Sequence, residues 1–110
     1  MDDKHILVKT GAIVEKVPTE EVVAVQRDGR KLHIVSDNKD YVYYQKMDNV
    51  EPKLSDNFYR CHGGCYINLD KVRLMEEQEI FFYNGYSIYL GRTNFIKAKQ
   101  YFYKYAMEND

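Results

Sequence analysis

The chain has no tryptophan and only two prolines and two cysteines among its 110 residues. Little proline beside eleven tyrosines speaks for strands and half-buried surfaces and against disorder. No apolar run approaches the roughly 18 residues that cross a bilayer, and the opening Met1-Asp2-Asp3-Lys4 lacks the regions of a signal peptide. The chain therefore reads as cytoplasmic and not membrane-bound, a setting in which Cys61 and Cys65 are expected to stay reduced. A charge excess is also missing: sixteen Lys and Arg face seventeen Asp and Glu, a formal charge of -1. Whole-chain charge does not advertise a nucleic-acid partner, and the local distribution has to decide. No Ser-His-Asp arrangement, paired carboxylates, Gly-rich phosphate loop or nucleotide fingerprint stands in a convincing context, so the chain reads as non-enzymatic and cofactor-free.

What is present suits one compact domain over 1–110, with 45% hydrophobic residues for one core. Short apolar runs alternate with turn signals at intervals of roughly 8–12 residues, the spacing of a mainly β domain. Ile6-Lys9 and Ala12-Glu15 flank Thr10-Gly11 as a first hairpin, and Pro18-Thr19-Glu20-Glu21 makes a polar turn. Val22-Arg27 and Arg30-Val35 flank Asp28-Gly29, a strong hairpin signal. A two-residue Asp28-Gly29 loop would pair Val25 with Leu32 and Val23 with Ile34 and set Arg27 opposite Arg30. With Lys31 beside them, two facing arginines suggest an anion at this tip, although solvated arginines at a hairpin end are the plainer reading. Asp40-Tyr44 is a further strand, and Gln45 to Leu54, holding Pro52, is a short helix or irregular crossover. Val72-Met75, Glu79-Tyr83 and Tyr86-Leu90 then form a meander, its last two strands joined by a two-residue Asn84-Gly85 turn. Apolar residues at both parities predict a meander covered on both faces.

The period changes at the end. Phe95, Ala98, Phe102 and Tyr105 recur at spacings of three and four, one stripe down a helix that Thr93 or Asn94 can cap. From Arg92 to Tyr105 every charged residue is basic, namely Arg92, Lys97, Lys99 and Lys104. A helix start preceded by arginine can seat a phosphate; the lysines can equally be its solvated face.

The central run Phe58-Tyr59-Arg60-Cys61-His62-Gly63-Gly64-Cys65-Tyr66-Ile67-Asn68-Leu69 resembles the LytTR-type DNA-binding domain. In that family a Phe-aromatic-Arg-x-His segment leads to hydrophobic-Val/Ile-Asn-Leu, then a strand, an Asn/Asp-Gly hairpin and a C-terminal helix. Phe58, Tyr59, Arg60, His62, Ile67, Asn68, Leu69, Asn84-Gly85 and Arg92 fill those places here, over about Lys16 to Tyr105. The resemblance implies a mainly β domain of three small antiparallel sheets with short helical segments and a C-terminal helix. It also implies binding to promoter DNA of direct-repeat type, with loops entering successive major grooves and two copies on one site as a homodimer. Such domains usually follow a phospho-receiver domain in bacterial response regulators of two-component systems. This chain carries no receiver and would be either a stand-alone regulator or part of a longer one.

Positions matching the family's DNA-contacting loops are Arg30 in the first hairpin, Arg60, His62, Gly63 and Gly64 in the central loop, and Arg92, Thr93 and Asn94 before the last helix, and the basic neighbours Arg27, Lys31 and Lys97 join them as candidate DNA contacts by their charge. Arg30 would fork onto guanine, while Arg60, His62, Lys97 and the helix start would hold phosphates. The acidic run Glu76-Glu77-Gln78-Glu79 is then expected on the side away from DNA. Gly63 and Gly64 stand where the family usually has Arg or Asn and then Ser, so a side-chain base contact at Gly63 is lost, and Thr93 stands where a basic residue is frequent. Three readings of the cysteines stay open. They are inert core residues, metal ligands that lack the usual paired spacing, or a redox switch in which Arg60 and His62 lower the Cys61 thiol pKa. The competing class is a protein-interaction module that has lost DNA binding and presents Tyr43, Tyr44, Tyr101 and Tyr103.

Overall fold

A computed structural model describes residues 4–109. Strands β1 (His5–Lys9) and β2 (Val14–Pro18) pair antiparallel, with Ile6 opposite Val17. The second strand starts later than the sequence pattern predicts. Thr10 is the cause: its Oγ1 accepts hydrogen bonds from the Ala12 and Ile13 amides at 3.1 and 3.2 Å, which holds those residues in the turn.

A five-stranded antiparallel sheet follows. It contains β3 (Val22–Asp28), β4 (Lys31–Ser36), β5 (Asp40–Tyr44), β6 (Phe58–His62) and β7 (Cys65–Asn68), in the order β5-β4-β3-β7-β6. Between β5 and β6 lie a single turn of helix α1 (Met47–Val50) and a 3-10 turn at Glu51–Lys53 that admits Pro52 at its start. The β3–β4 register corrects the sequence reading. Asp28 pairs with Lys31 and Arg27 with Leu32, so the two-residue loop is Gly29-Arg30, with Gly29 at φ +63 in the place that needs it. Arg27 and Arg30 do not face each other. A bulge at Val23 also overturns the Val23–Ile34 pairing: Val22 and Val25 face one side of the sheet while Val23 and Ala24 face the other.

The third sheet is the meander β8 (Val72–Glu76), β9 (Glu79–Phe82) and β10 (Ser87–Tyr89). Its last turn has three residues rather than two, because Phe81 pairs with Ser87 and the Phe82 amide donates to the Tyr86 carbonyl across Tyr83-Asn84-Gly85. Gly85 supplies the left-handed residue at φ +93. Helix α2 (Arg92–Glu108) closes the chain. No helix among the described residues is long and apolar enough to cross a membrane.

Two clusters of apolar side chains sandwich the five-stranded sheet. Ile6, Val8, Val17, Met47 and Val50 cover one face through Val25, Leu32, Ile34 and Tyr66. On the other face Val23, Ala24, Cys65 and Ile67 meet Ile80, Phe82 and Ile88 of the meander and Phe95 and Ala98 of α2. The sheet covered on both faces is thus the central one and not the meander, whose outer face leaves Leu74 and Tyr89 exposed. Asn68 is fully buried at the junction. Its Nδ2 donates to the Val22 carbonyl at 2.8 Å, and its Oδ1 accepts from the Asp70 amide and from Asn57 Nδ2.

Candidate nucleic-acid interface

The β3–β4 tip and the β6–β7 loop meet on one end of the central sheet because β3 pairs with β7. The Arg27 amide donates to the Gly64 carbonyl at 2.7 Å, and the Arg27 side chain crosses Gly64 so closely that a methyl there would lie 3.4 Å from its Cβ. The exposed Arg27 is therefore held against the central loop, and the exposed Arg30 stands at the tip on the same end of the sheet. Lys31 leans away from the tip, its Nζ 4.9 Å from the centre of the Tyr44 ring on β5.

Within the central loop the side chains shape the backbone. Arg60 Nη2 donates to the Gly63 carbonyl at 3.0 Å, and its guanidinium carbon lies 5.4 Å from the centre of the Tyr66 ring. The Gly64 amide donates to His62 Nδ1 at 3.2 Å, which leaves Nε2–H of the neutral ring as a donor. Neither Gly63 nor Gly64 has a positive φ, and a side chain at Gly63 would meet nothing within 4 Å. The backbone does not require glycine at either place.

Arg60 and His62 point outward, so strand alternation and a bulge between them turn Cys61 inward. Cys61 is 5% exposed and Cys65 fully buried, and the two free thiols are hydrogen-bonded partners. That bond and burial push the Cys61 thiol well above its ordinary value. Arg60 and His62, expected to lower the Cys61 thiol, are exposed while Cys61 is buried, so they lie on the solvent side of the strand and not against the thiol.

The third cluster starts α2. Gly91 occupies the N-cap position and no side chain caps the helix, so Thr93 and Asn94 lie inside the first turn and do not cap it as expected. Arg92, Thr93, Asn94 and Lys97 are exposed. Among the described residues no hydrogen bond or ion pair ties them to the other two clusters. What holds them in place is packing of α2 on β6, where the Tyr59 and Tyr101 rings are 4.6 Å apart, and a 2.7 Å bond from the Tyr105 hydroxyl to Asp70. The acidic run is not remote from the basic clusters. Gln78 bonds Leu90 through both its carbonyl and its side chain, at 2.9 and 3.1 Å, which fastens the Glu76–Glu79 turn two residues from Arg92.

Two features escaped the sequence reading. Asn68 belongs to the motif yet serves the core, a role that only its three partners disclose. The segment Tyr44 to Asn49 forms, with Arg27 and Arg30, a cleft that no local pattern signals. Of the tyrosines proposed as a contact surface, Tyr43 is buried, Tyr44 is exposed on β5, and Tyr101 and Tyr103 are exposed on α2.

Comparison with known proteins places these observations. A family model described as the LytTr DNA-binding domain matches residues 12–102. Among solved structures the chain is similar to the LytTr DNA-binding domain of a methyl-accepting/DNA response regulator from Bacillus cereus, with a TM-score of 0.73 at 15% identity, covering 90% of this chain and 96% of that one. At that identity the likeness is one of fold. No curated protein matches.

Proposed function

The chain belongs to the LytTr DNA-binding domain family, and on that premise we propose that it is the duplex-DNA-reading part of a bacterial transcription regulator. It acts in the cytoplasm without catalysis or cofactor. Arg30 enters a major groove from the β3–β4 tip and forks onto guanine, and the start of α2, with Arg92, Thr93, Asn94 and Lys97, approaches the next groove. Arg27 and His62 hold phosphates between them. Arg60 acts first on its own loop by fixing the Gly63 carbonyl, and second on DNA. Two copies occupy a direct repeat, and a receiver domain in a longer chain would pass the signal.

The observation that carries this reading is the Arg27–Gly64 bond, which brings exposed basic side chains from two distant segments to one end of the sheet. Fluorescence anisotropy of labelled duplex over a salt series tests it. The expected result is binding whose logarithm falls linearly with the logarithm of salt, with Arg30→Ala losing about 1–3 kcal/mol and relaxing base preference. Absence of binding at low salt would sink it.

The interaction-module reading is favoured by one observation, the missing side chain at Gly63. The open space there discriminates the two. In a working DNA reader Gly63→Asn keeps the fold, since the backbone is unstrained, and sharpens base selection; in a module that has left DNA it changes nothing.

A further inference from the structure

The β3–β4 tip and the segment that runs from β5 into α1 enclose a cleft of about 760 Å³. Arg27 and Arg30 line one wall, and Tyr44, Lys46, Asp48 and Asn49 line the other. The walls are joined, because the Gln45 amide donates to the Arg30 carbonyl at 3.3 Å. Gln45 also stiffens the second wall. Its Oε1 accepts from the Lys46 amide at 2.8 Å and from Asn49 Nδ2 at 2.7 Å, in a turn where Lys46 has no capping side chain.

Charge singles this cleft out. Among the described residues the ion pairs join His33 to Asp40, Lys39 to Glu15 and Lys71 to Asp37, so Arg27, Arg30 and Lys46 reach the cleft without carboxylate partners. Asp48 is the one carboxylate lining it. Three cations against one anion around a preformed hollow leave a net positive seat. Beside it the Tyr44 ring is 72% exposed and steadied by Lys31, an apolar wall of the kind a sugar face can rest on.

We infer that this cleft is a seat for the sugar-phosphate backbone flanking the groove that Arg30 enters, with Lys46 as a phosphate contact and Tyr44 packed against deoxyribose. The inference rests on the DNA-binding reading and extends it to a second wall. A backbone seat carries no sequence information, so its loss must weaken all duplexes alike.

The test measures affinity of Lys46→Ala, Asp48→Asn and Arg30→Ala for a selected duplex and a scrambled one over a salt series, with thermal midpoints as the control for folding. Lys46→Ala should weaken both duplexes by the same factor, about 3- to 10-fold, and lower the slope of log affinity against log salt by about 0.9, as loss of one phosphate contact does. Asp48→Asn should tighten both by about 2- to 3-fold, a gain that damage to the fold cannot produce. If Arg30→Ala weakens binding while Lys46→Ala and Asp48→Asn leave affinity and slope at the wild-type values, the cleft is no backbone seat and the DNA reading survives. If the wild-type chain binds no duplex, both fall.

Discussion

Asn68 shows how a motif residue can be read for the wrong reason. It stands inside the Arg-x-His to Ile-Asn-Leu signature of a DNA-binding family, yet it is fully buried and satisfied by Val22, Asn57 and Asp70. It joins β3 to the 3-10 turn at Leu69–Lys71 and so ties the central sheet to the entry of the meander. Replacing it by leucine keeps the branched shape but leaves the Val22 carbonyl and the Asp70 amide without these partners. Asn68→Leu should lose about 2–3 kcal/mol in urea unfolding, and the surviving folded fraction should bind DNA as the wild type does. An equal stability would mean that water replaces the amide at no cost. Cys61 is the converse case. Its basic neighbours in sequence suggested an activated thiol, and alternation along the strand put those neighbours on the other face.

Hairpins decide where the basic side chains end up. Asp28-Gly29 marks the first turn correctly in kind, but the loop is Gly29-Arg30, and the change lifts Arg30 from a strand position to the tip. Gly29 at φ +63 makes that possible, and its Cβ position is open, so the cost of substitution is backbone strain alone. Gly29→Ala should lower stability by about 1–2 kcal/mol. The same variant should also weaken DNA binding through Arg30, more than the stability loss accounts for at temperatures where the chain stays folded. Unchanged affinity would place Arg30 outside the interface. The Asn84-Gly85 turn repeats the lesson, since glycine again supplies the positive φ, but one position along a three-residue loop. Turn chemistry is local and therefore legible. The register it serves depends on bulges, here at Val23, Cys61 and Arg73, that let side chains reach two cores at once.

At the scale of the whole molecule, tyrosine does the work that tryptophan and disulfides do elsewhere. Tyr41 reaches Glu15 on β2, and Tyr105 reaches Asp70, each by a hydroxyl bond between distant segments. Burial first, and the bond to a carboxylate second, raise both hydroxyls from 10 to about 12. Burial likewise raises Tyr43, Tyr59, Tyr66 and Tyr86. Such raised groups contribute stability that is fully present below pH 10 and lost as pH rises through 12. Circular dichroism should therefore show the thermal midpoint falling steadily across that window, in step with tyrosinate absorbance and less steeply in Tyr41→Phe; a flat midpoint would contradict the raised values. The sequence by itself determined the strand-rich class, the hairpin sites, the amphipathic last helix and the family resemblance, because alternation, helical spacing and glycine turns are properties of neighbouring residues. Only the tertiary structure decided that Cys61 faces inward, that Asn68 holds the core, that the acidic turn sits beside Arg92, and that Lys46 shares a cleft with Arg27 and Arg30. Each of those depends on which segments pair across the central sheet and in what register, a choice fixed by the summed packing of two cores that no short stretch of chain contains.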